Sequence, residues 1–278
     1  MLRVAFLISV HNRREDTLAF LDVCYREIDH LKAEEKYSFD IYLVEDGCTD
    51  GTFDAVSEKY PQVHLIRGSG ELYWNQGMRL AWSEAAKEDY DFYLWLNVDT
   101  ILVEGALAIL METSEYVRHR AIVVGTVKFT SLSLSYGGRT RSGKIVSPDP
   151  VIPVPCYTFN GNLVLVPKAV YSVLGNLEER YHHGFGDYDY GARAAKADIP
   201  RVVAPGILAT CDRDNPIPKW RDSSYPLRER VRYLTSPKGR PPAEQFLYDC
   251  RSHGFFYALW DMVSINFKVL FPKSAQKS

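Results

Sequence analysis

Several acidic residues of this chain stand where a carboxylate can do chemistry instead of solvating a surface. Asp99 ends LNVDT, directly after the apolar run Phe92 to Leu96. A carboxylate leaving a buried strand in this way suits Mg2+ or Mn2+, which take few protein carboxylates and fill their remaining positions with phosphate oxygens and water. Such an ion offsets charge on a departing diphosphate. Asn97 and Asp99 suit equally well an Asx turn or the cap of a helix starting near Glu104. Asp187, in HHGFGDYDYGARAAK, follows glycines at the start of a helix. There N–H groups and the helix dipole keep a carboxylate ionised, as a general base requires. A plain N-cap is the alternative, and Asp189, facing another direction, competes for the role. His182 and His183 are adjacent and point apart, which argues against a two-histidine metal site.

A second group of residues could hold flat rings. Asp46, in VEDGCTDGT, can accept the ring N–H of uracil, thymine or guanine, with His11 stacking from a neighbouring strand exit. A turn aspartate and a surface histidine are the other reading, whereas Asp50 and Thr52 read as turn and capping residues. Tyr73 and Trp74 lie in the glycine-flanked GSGELYWNQGM. Aromatic faces stack on the C–H faces of sugars, although core packing is their commoner use.

These residues must be positioned by the elements around them. Leu2 to Val10 is strand-like, and Leu18, Leu21, Tyr25 and Ile28 then recur at helical spacing. Phe39 to Val44 reads as a second strand, Phe53 to Tyr60 as a helix and Val63 to Ile66 as a third strand. Asn75 to Lys87 reads as a helix, and Phe92 to Leu96 as a fully apolar fourth strand. Strand alternating with helix implies right-handed crossovers and a mainly parallel sheet. In such sheets ligands collect beyond the carboxyl ends of the strands. The clusters His11-Asn12, Glu45-Asp46 and Asn97 to Asp99 fall there. Ser131 to Pro155 is rich in Ser, Gly and Pro and reads as a loop or irregular hairpin. Tyr157 to Val166 reads as an apolar, antiparallel segment. Residues 1–211 are thus expected to form one catalytic domain, and 212–278 a proline-broken, locally basic and partly helical extension.

Bulk properties narrow the field. The 278 residues are 46 % hydrophobic and 24 % charged, as in a globular protein with one full core. With 33 Lys plus Arg against 35 Asp plus Glu, the net charge of −2 provides no field to collect nucleic acid. The five cysteines are widely and irregularly spaced without a CxxC pair, which fits a reducing cytoplasm. The first apolar run stops at His11 and reads as a strand, not a signal peptide. No stretch reaches the ~18 uncharged apolar residues of a membrane helix. Phe255 to Phe271, interrupted by Asp261 and Lys268, could lie on a membrane, with the Arg-rich segment before it facing anionic headgroups; a helix packed on the catalytic domain is the alternative.

The ordered set SVHNR, VEDGCTDGT, GSGELYWNQGMRLA, LNVDT, FNGNLVLVPKAVY and GFGDYDYGARA, spanning roughly residues 3 to 210, resembles family 2 glycosyltransferases, in particular bacterial rhamnosyltransferase-like members. The resemblance implies an α/β GT-A fold: a mainly parallel central sheet flanked by helices, with a Rossmann-like nucleotide-binding half and an acceptor-binding half. It implies inverting transfer of a sugar from a UDP-, dTDP- or GDP-linked donor to a saccharide or lipid-linked saccharide, in bacterial surface polysaccharide or glycolipid synthesis; the Phe255 to Phe271 stretch and the basic segment before it suggest the cytoplasmic face of the membrane as the place. By the resemblance, Ser9, His11 and Asp46 line the nucleoside pocket, Asn97-Val98-Asp99 replaces the family's metal motif with Asp99 holding Mn2+ or Mg2+, Asp187 is the base, and Gly161 and Asn162 floor the acceptor site. From their own positions, Asn12 is expected with Asn97 and Asp99 on the nucleotide sugar, and Trp74 and Asp189 on the acceptor side. Asn97 stands where the family's metal motif often has Asp, and Cys211 lies near where relatives place a metal-binding His. A thiol is a poor ligand for these ions, which leaves Asp212 or Asp214 as substitutes. Those departures motivate a rival reading, a degenerate carbohydrate-binding or assembly module. A sugar nucleotidyltransferase ranks lower, because SVHNRRED lacks the glycine-rich phosphate loop.

Overall fold

The computed structural model describes residues 1–32, 35–129, 133–211 and 217–272. The first half alternates strand and helix: β1 (Leu2–Val10), α1 (Arg14–Lys32), β2 (Tyr37–Glu45), α2 (Thr52–Lys59), β3 (His64–Arg67), α3 (Tyr73–Ala85) and β4 (Phe92–Leu96). Next come β5 (Ile101–Leu102), α4 (Ala106–Tyr116), β6 (Ile122–Val124), β7 (Val127–Phe129), β8 (Leu134–Tyr136) and β9 (Gly138–Arg139). Then follow β10 (Val154–Pro155), β11 (Thr158–Phe159), β12 (Leu163–Pro167), α5 (Lys168–Leu174), α6 (Gly186–Lys196), β13 (Arg201–Val203) and β14 (Ala209–Cys211). The chain closes with α7 (Leu227–Leu234), α8 (Pro242–Ser252) and α9 (Phe255–Leu270).

An eight-stranded sheet in the order β10-β13-β6-β12-β4-β1-β2-β3 forms the centre. The β4-β1-β2-β3 half is parallel, as is the β6–β13 pair, while β12 runs antiparallel to both β4 and β6. Successive side chains of a strand face opposite layers. Thus Val4, Phe6, Ile8, Phe92, Leu94 and Leu96 join the core that includes Leu21, Ile28 and Leu107 of α1 and α4. Ala5, Leu7, Tyr93 and Trp95 face the other layer, with Trp82 of α3 and Tyr190 of α6. Covered on both sides, β4 and β12 are buried along their whole length, which is why FYLWL and LVLVP carry no polar alternation.

The antiparallel segment expected over Tyr157 to Val166 divides into β11 and β12. Within the irregular stretch 131–155, β8 pairs back on the preceding β7 with a bulge, and β9 and β10 are two-residue strands, residues 131–132 lying outside the described ones. A four-stranded sheet β5-β14-β7-β8 carries the chain past Asp99. The region after β14 does not stand apart. α8 packs on α6, where Glu244 meets His182 Nδ1 at 2.7 Å, and Arg251 meets Glu178 at 2.6 Å and Asp189 at 3.2 Å. α9 packs in turn on α8 and α7.

Candidate functional site

The carboxyl ends of β1, β2 and β4 open into a cleft of about 990 Å3. Ser9, His11, Asp46, Asn97 and Asp99 line it from these strand exits. Trp74, Gly161, Asn162 and Asp187 line it from α3, the turn before β12, and α6. Asp99 and Asp187, far apart in sequence, therefore face one space.

Asp46 is buried, and its carboxylate organises the loop that follows β3. Oδ1 accepts the Gly70 N–H at 2.7 Å, and Oδ2 accepts those of Leu72 at 2.9 Å and Tyr73 at 3.1 Å. With three backbone donors on about four acceptor positions, little of the carboxylate is left for a nucleobase. The turn reading accounts for most of its chemistry. Gly47, at φ 65°, permits this wrap, since a Cβ there would lie 2.5 Å from the Gly70 Cα. His11 is exposed, and its Nδ1 lies 2.6 Å from the Asp46 carbonyl, so the ring is held at the rim of the cleft. Ser9 packs its hydroxyl into the space that Gly77 of α3 leaves open. Asn12, expected beside the nucleotide, is not on the cleft. Its Oδ1 accepts the Thr49 N–H at 2.8 Å and its N–H reaches Cys48 Sγ at 3.1 Å, which ties the exit of β1 to the loop after β2.

Trp74, Gly161 and Asp187 form one stack of contacts. The Trp74 indole N–H donates to Asn97 Oδ1 at 2.7 Å, and its ring packs edge to face on Trp95. A Cβ on Gly161 would lie 2.5 Å from the Trp74 ring and 3.2 Å from the Asp187 Cβ, so only glycine permits the approach. Most of the Trp74 face is thus committed to packing, with part of it left toward the cleft. The Gly161 N–H donates to Asp187 Oδ2 at 2.9 Å, and the Tyr188 N–H to Oδ1 at 2.8 Å. The expected N–H groups are present, yet they do not hold this acid low. Burial pushes the Asp187 carboxyl up from its ordinary value, outweighing those two hydrogen bonds and the more distant Arg139. A raised carboxylate is the stronger base once ionised.

Asp189 does not reach the cleft. It is fully buried, with Arg193 at 2.9 Å on one oxygen and Arg251 at 3.2 Å and the Tyr181 hydroxyl at 3.3 Å on the other. Two residues on from Asp187, it leaves the helix in another direction and anchors α6 to α8. Its expected place on the acceptor side is therefore corrected.

Further residues line the cleft that the sequence did not assign to it. Arg13 places Nη1 3.6 Å from Asp99 Oδ2. His183 is turned inward while His182 bonds Glu244, and burial followed by the Lys238 charge lowers the His183 pKa. Tyr188, whose hydroxyl accepts from Asn160 Nδ2 at 2.9 Å, lines the wall beside Asp187. Tyr233, Ser236 and Lys238 come from the end of α7 and the segment after it, so the C-terminal region forms part of the wall.

Among the described residues no group of three His, Cys, Asp or Glu side chains is arranged to hold a metal ion. Asp99 is the acidic side chain that the Asn97-Val98-Asp99 turn brings to the cleft, and Asn97 Oδ1 already accepts from Trp74. This donor set fits Mn2+ or Mg2+ only where a bound diphosphate supplies most of the ligands. Cys211 is buried in β14, whose pairing of Thr210 with Ile101 carries the chain toward the Thr100 end of the turn. Asp212 and Asp214 lie outside the described residues.

No protein-family model and no curated protein matches the sequence. Solved structures do match. The mannosyltransferase PcManGT from Pyrobaculum calidifontis, in complex with GDP-Man and Mn2+, gives a TM-score of 0.54 at 14 % identity over 95 % of this chain and 73 % of that one. S. aureus TarS 1-349 in complex with UDP-GlcNAc gives 0.58 at 12 %, over 95 % and 81 %. GalNAc-T7 with UDP, GalNAc and Mn2+ gives 0.62 at 12 %, over 96 % of this chain and 58 % of that one. The fold is the GT-A type that these transferases share.

Proposed function

We propose that this chain transfers a sugar from a nucleotide-sugar donor to an acceptor hydroxyl with inversion. The reading is carried by one observation: Asp99 and Asp187 open onto the same cleft, at the strand ends of a fold shared with sugar transferases. In this reaction Asp187 takes the proton of the acceptor hydroxyl while that oxygen bonds to the anomeric carbon. The bond from that carbon to the diphosphate breaks, and the nucleoside diphosphate leaves from the opposite side. Burial suits Asp187 to the task by raising its proton affinity. Arg13 and Lys238 supply positive charge within the cleft toward the leaving group. Asp99 would hold Mn2+ or Mg2+, which when bound supplies further charge to the diphosphate. Trp74 and Asn162 present surface to the sugars, and His11 a ring edge to the base. The fuller proposal is a UDP-, dTDP- or GDP-sugar donor and a saccharide or lipid-linked saccharide acceptor in bacterial surface polysaccharide or glycolipid synthesis. The polysaccharide role and the cytoplasmic location rest on the sequence resemblance and cysteine usage alone.

A thermal-shift panel of UDP-, dTDP- and GDP-sugars, with and without Mn2+, identifies the donor, since a bound ligand raises Tm by mass action. The account expects acceptor-dependent release of nucleoside diphosphate from that donor and an inverted anomeric configuration in the product. A donor that binds without turnover under any acceptor supports the binding-module reading instead.

A further inference from the structure

Exposed large apolar side chains of the described residues gather on α9. Ala258, Asp261, Ile265 and Val269 recur at spacings of three and four and turn inward against the rest of the molecule. A helix packed in this way ordinarily shows polar residues on its outer side. Here the outer side carries Phe256, Trp260, Val263, Phe267 and Leu270, at spacings of four, three, four and three, and each is between 54 and 86 % exposed. A contiguous apolar patch of this kind marks a surface that another phase or partner covers.

We propose that α9 lies flat on an anionic lipid bilayer, with these five side chains inserted at the headgroup boundary. Three observations select that occupant. No described helix is long and apolar enough to cross a membrane, so insertion is parallel to the surface. The elements packed beside α9 expose Lys219, Arg221, Arg228 and Arg232, against the exposed acidic Glu229. The acidic residues of the helical pair itself, Glu244, Asp249 and Asp261, are turned inward and buried. Basic side chains flanking an apolar stripe complement anionic headgroups. Trp260 and Tyr257 are of the amphipathic type that settles at this depth. Since Tyr233, Ser236 and Lys238 line the cleft and α7 packs on α9, docking would fix the orientation of the cleft relative to the bilayer.

The full chain is floated with vesicles of phosphatidylcholine alone or containing phosphatidylglycerol, alongside two variants: Trp260→Asp with Phe267→Asp, and Arg228→Glu with Arg232→Glu. The altered side chains are exposed, and thermal unfolding checks that each variant is folded. Wild type should float with the anionic vesicles, sink with the zwitterionic ones, and be released by salt. The apolar variant should sink with both. The charge variant should lose more than about twenty-fivefold in affinity, since removing each cation alone costs about fivefold and each new carboxylate is repelled in addition. Wild type that sinks with anionic vesicles overturns the proposal, as does flotation equal in all three proteins. Light scattering that finds a wild-type dimer lost in the apolar variant, without flotation, assigns the stripe to a second copy and overturns it too.

Discussion

Asp46 and Asp187 occupy two walls of one cleft, and each receives backbone N–H groups, yet their surroundings prepare them differently. On the wall made by β2 and the loop before α3, three N–H bonds nearly saturate Asp46, and the carboxylate holds the loop in shape. On the wall made by α6 and the turn before β12, Asp187 has two such bonds, too few to offset its burial, which raises its proton affinity. Saturation makes an acid structural. Desolvation with partial hydrogen bonding leaves it reactive and still oriented.

The strongest way to sharpen this contrast is Asp187→Asn. It should lower kcat by about a thousandfold, within the span of general-base removal, with donor affinity unchanged in a thermal-shift titration. The pH profile belongs with it. Because the folded-state pKa is raised, the ionised base is lost as pH falls through that raised value, so the acid limb of kcat should lie above the ordinary carboxylate range. By the same linkage, the group's contribution to stability declines as pH rises from the unfolded-chain value through the folded one. An acid limb at the ordinary value would break the contrast from the Asp187 side.

Asp46→Ala tests the other wall. Stranding three N–H groups should destabilise the fold by about 3 kcal/mol, read as a lowered urea midpoint at unchanged slope. A variant of normal stability with altered preference among nucleotide bases would make Asp46 a base reader after all. Gly161→Ala should come next. Its Cβ meets the Trp74 ring, and relief of that overpacking costs about 2 kcal/mol while shifting Asp187, so kcat should fall more than donor affinity does. Trp74→Phe should have the smallest effect, about 1 kcal/mol in stability from the lost bond to Asn97, with a modest rise in acceptor KM.

The strand exits were legible because apolar runs as strong as FYLWL stop where the strand does, and Asn97 and Asp99 follow at once. The placement of Asp187 at a helix start was legible because glycines precede the helical stretch there. What separated Asp187 from Asp189 was not, since both alternatives fit one helix turn and the decision rests with Arg251, 62 residues away. Arg13 and Lys238 were missed for a related reason. A lone basic residue beside a strand exit, or in a segment after a late helix, carries no local signal, and only tertiary packing brings Lys238 to the wall. The pair His182-His183 did carry one, since adjacent residues in a turn face apart, and His183 is the one turned inward. Asn12 misled because a polar residue at a strand exit serves a loop as readily as a ligand.

The most direct test of the central claim is a crystal structure of the Asp187→Asn variant with its intact donor bound. The account predicts the diphosphate beside Asp99 and Arg13, with the anomeric carbon presented across the cleft to residue 187. A donor whose anomeric carbon faces away from that residue, or whose nucleotide sits outside the cleft, would contradict it.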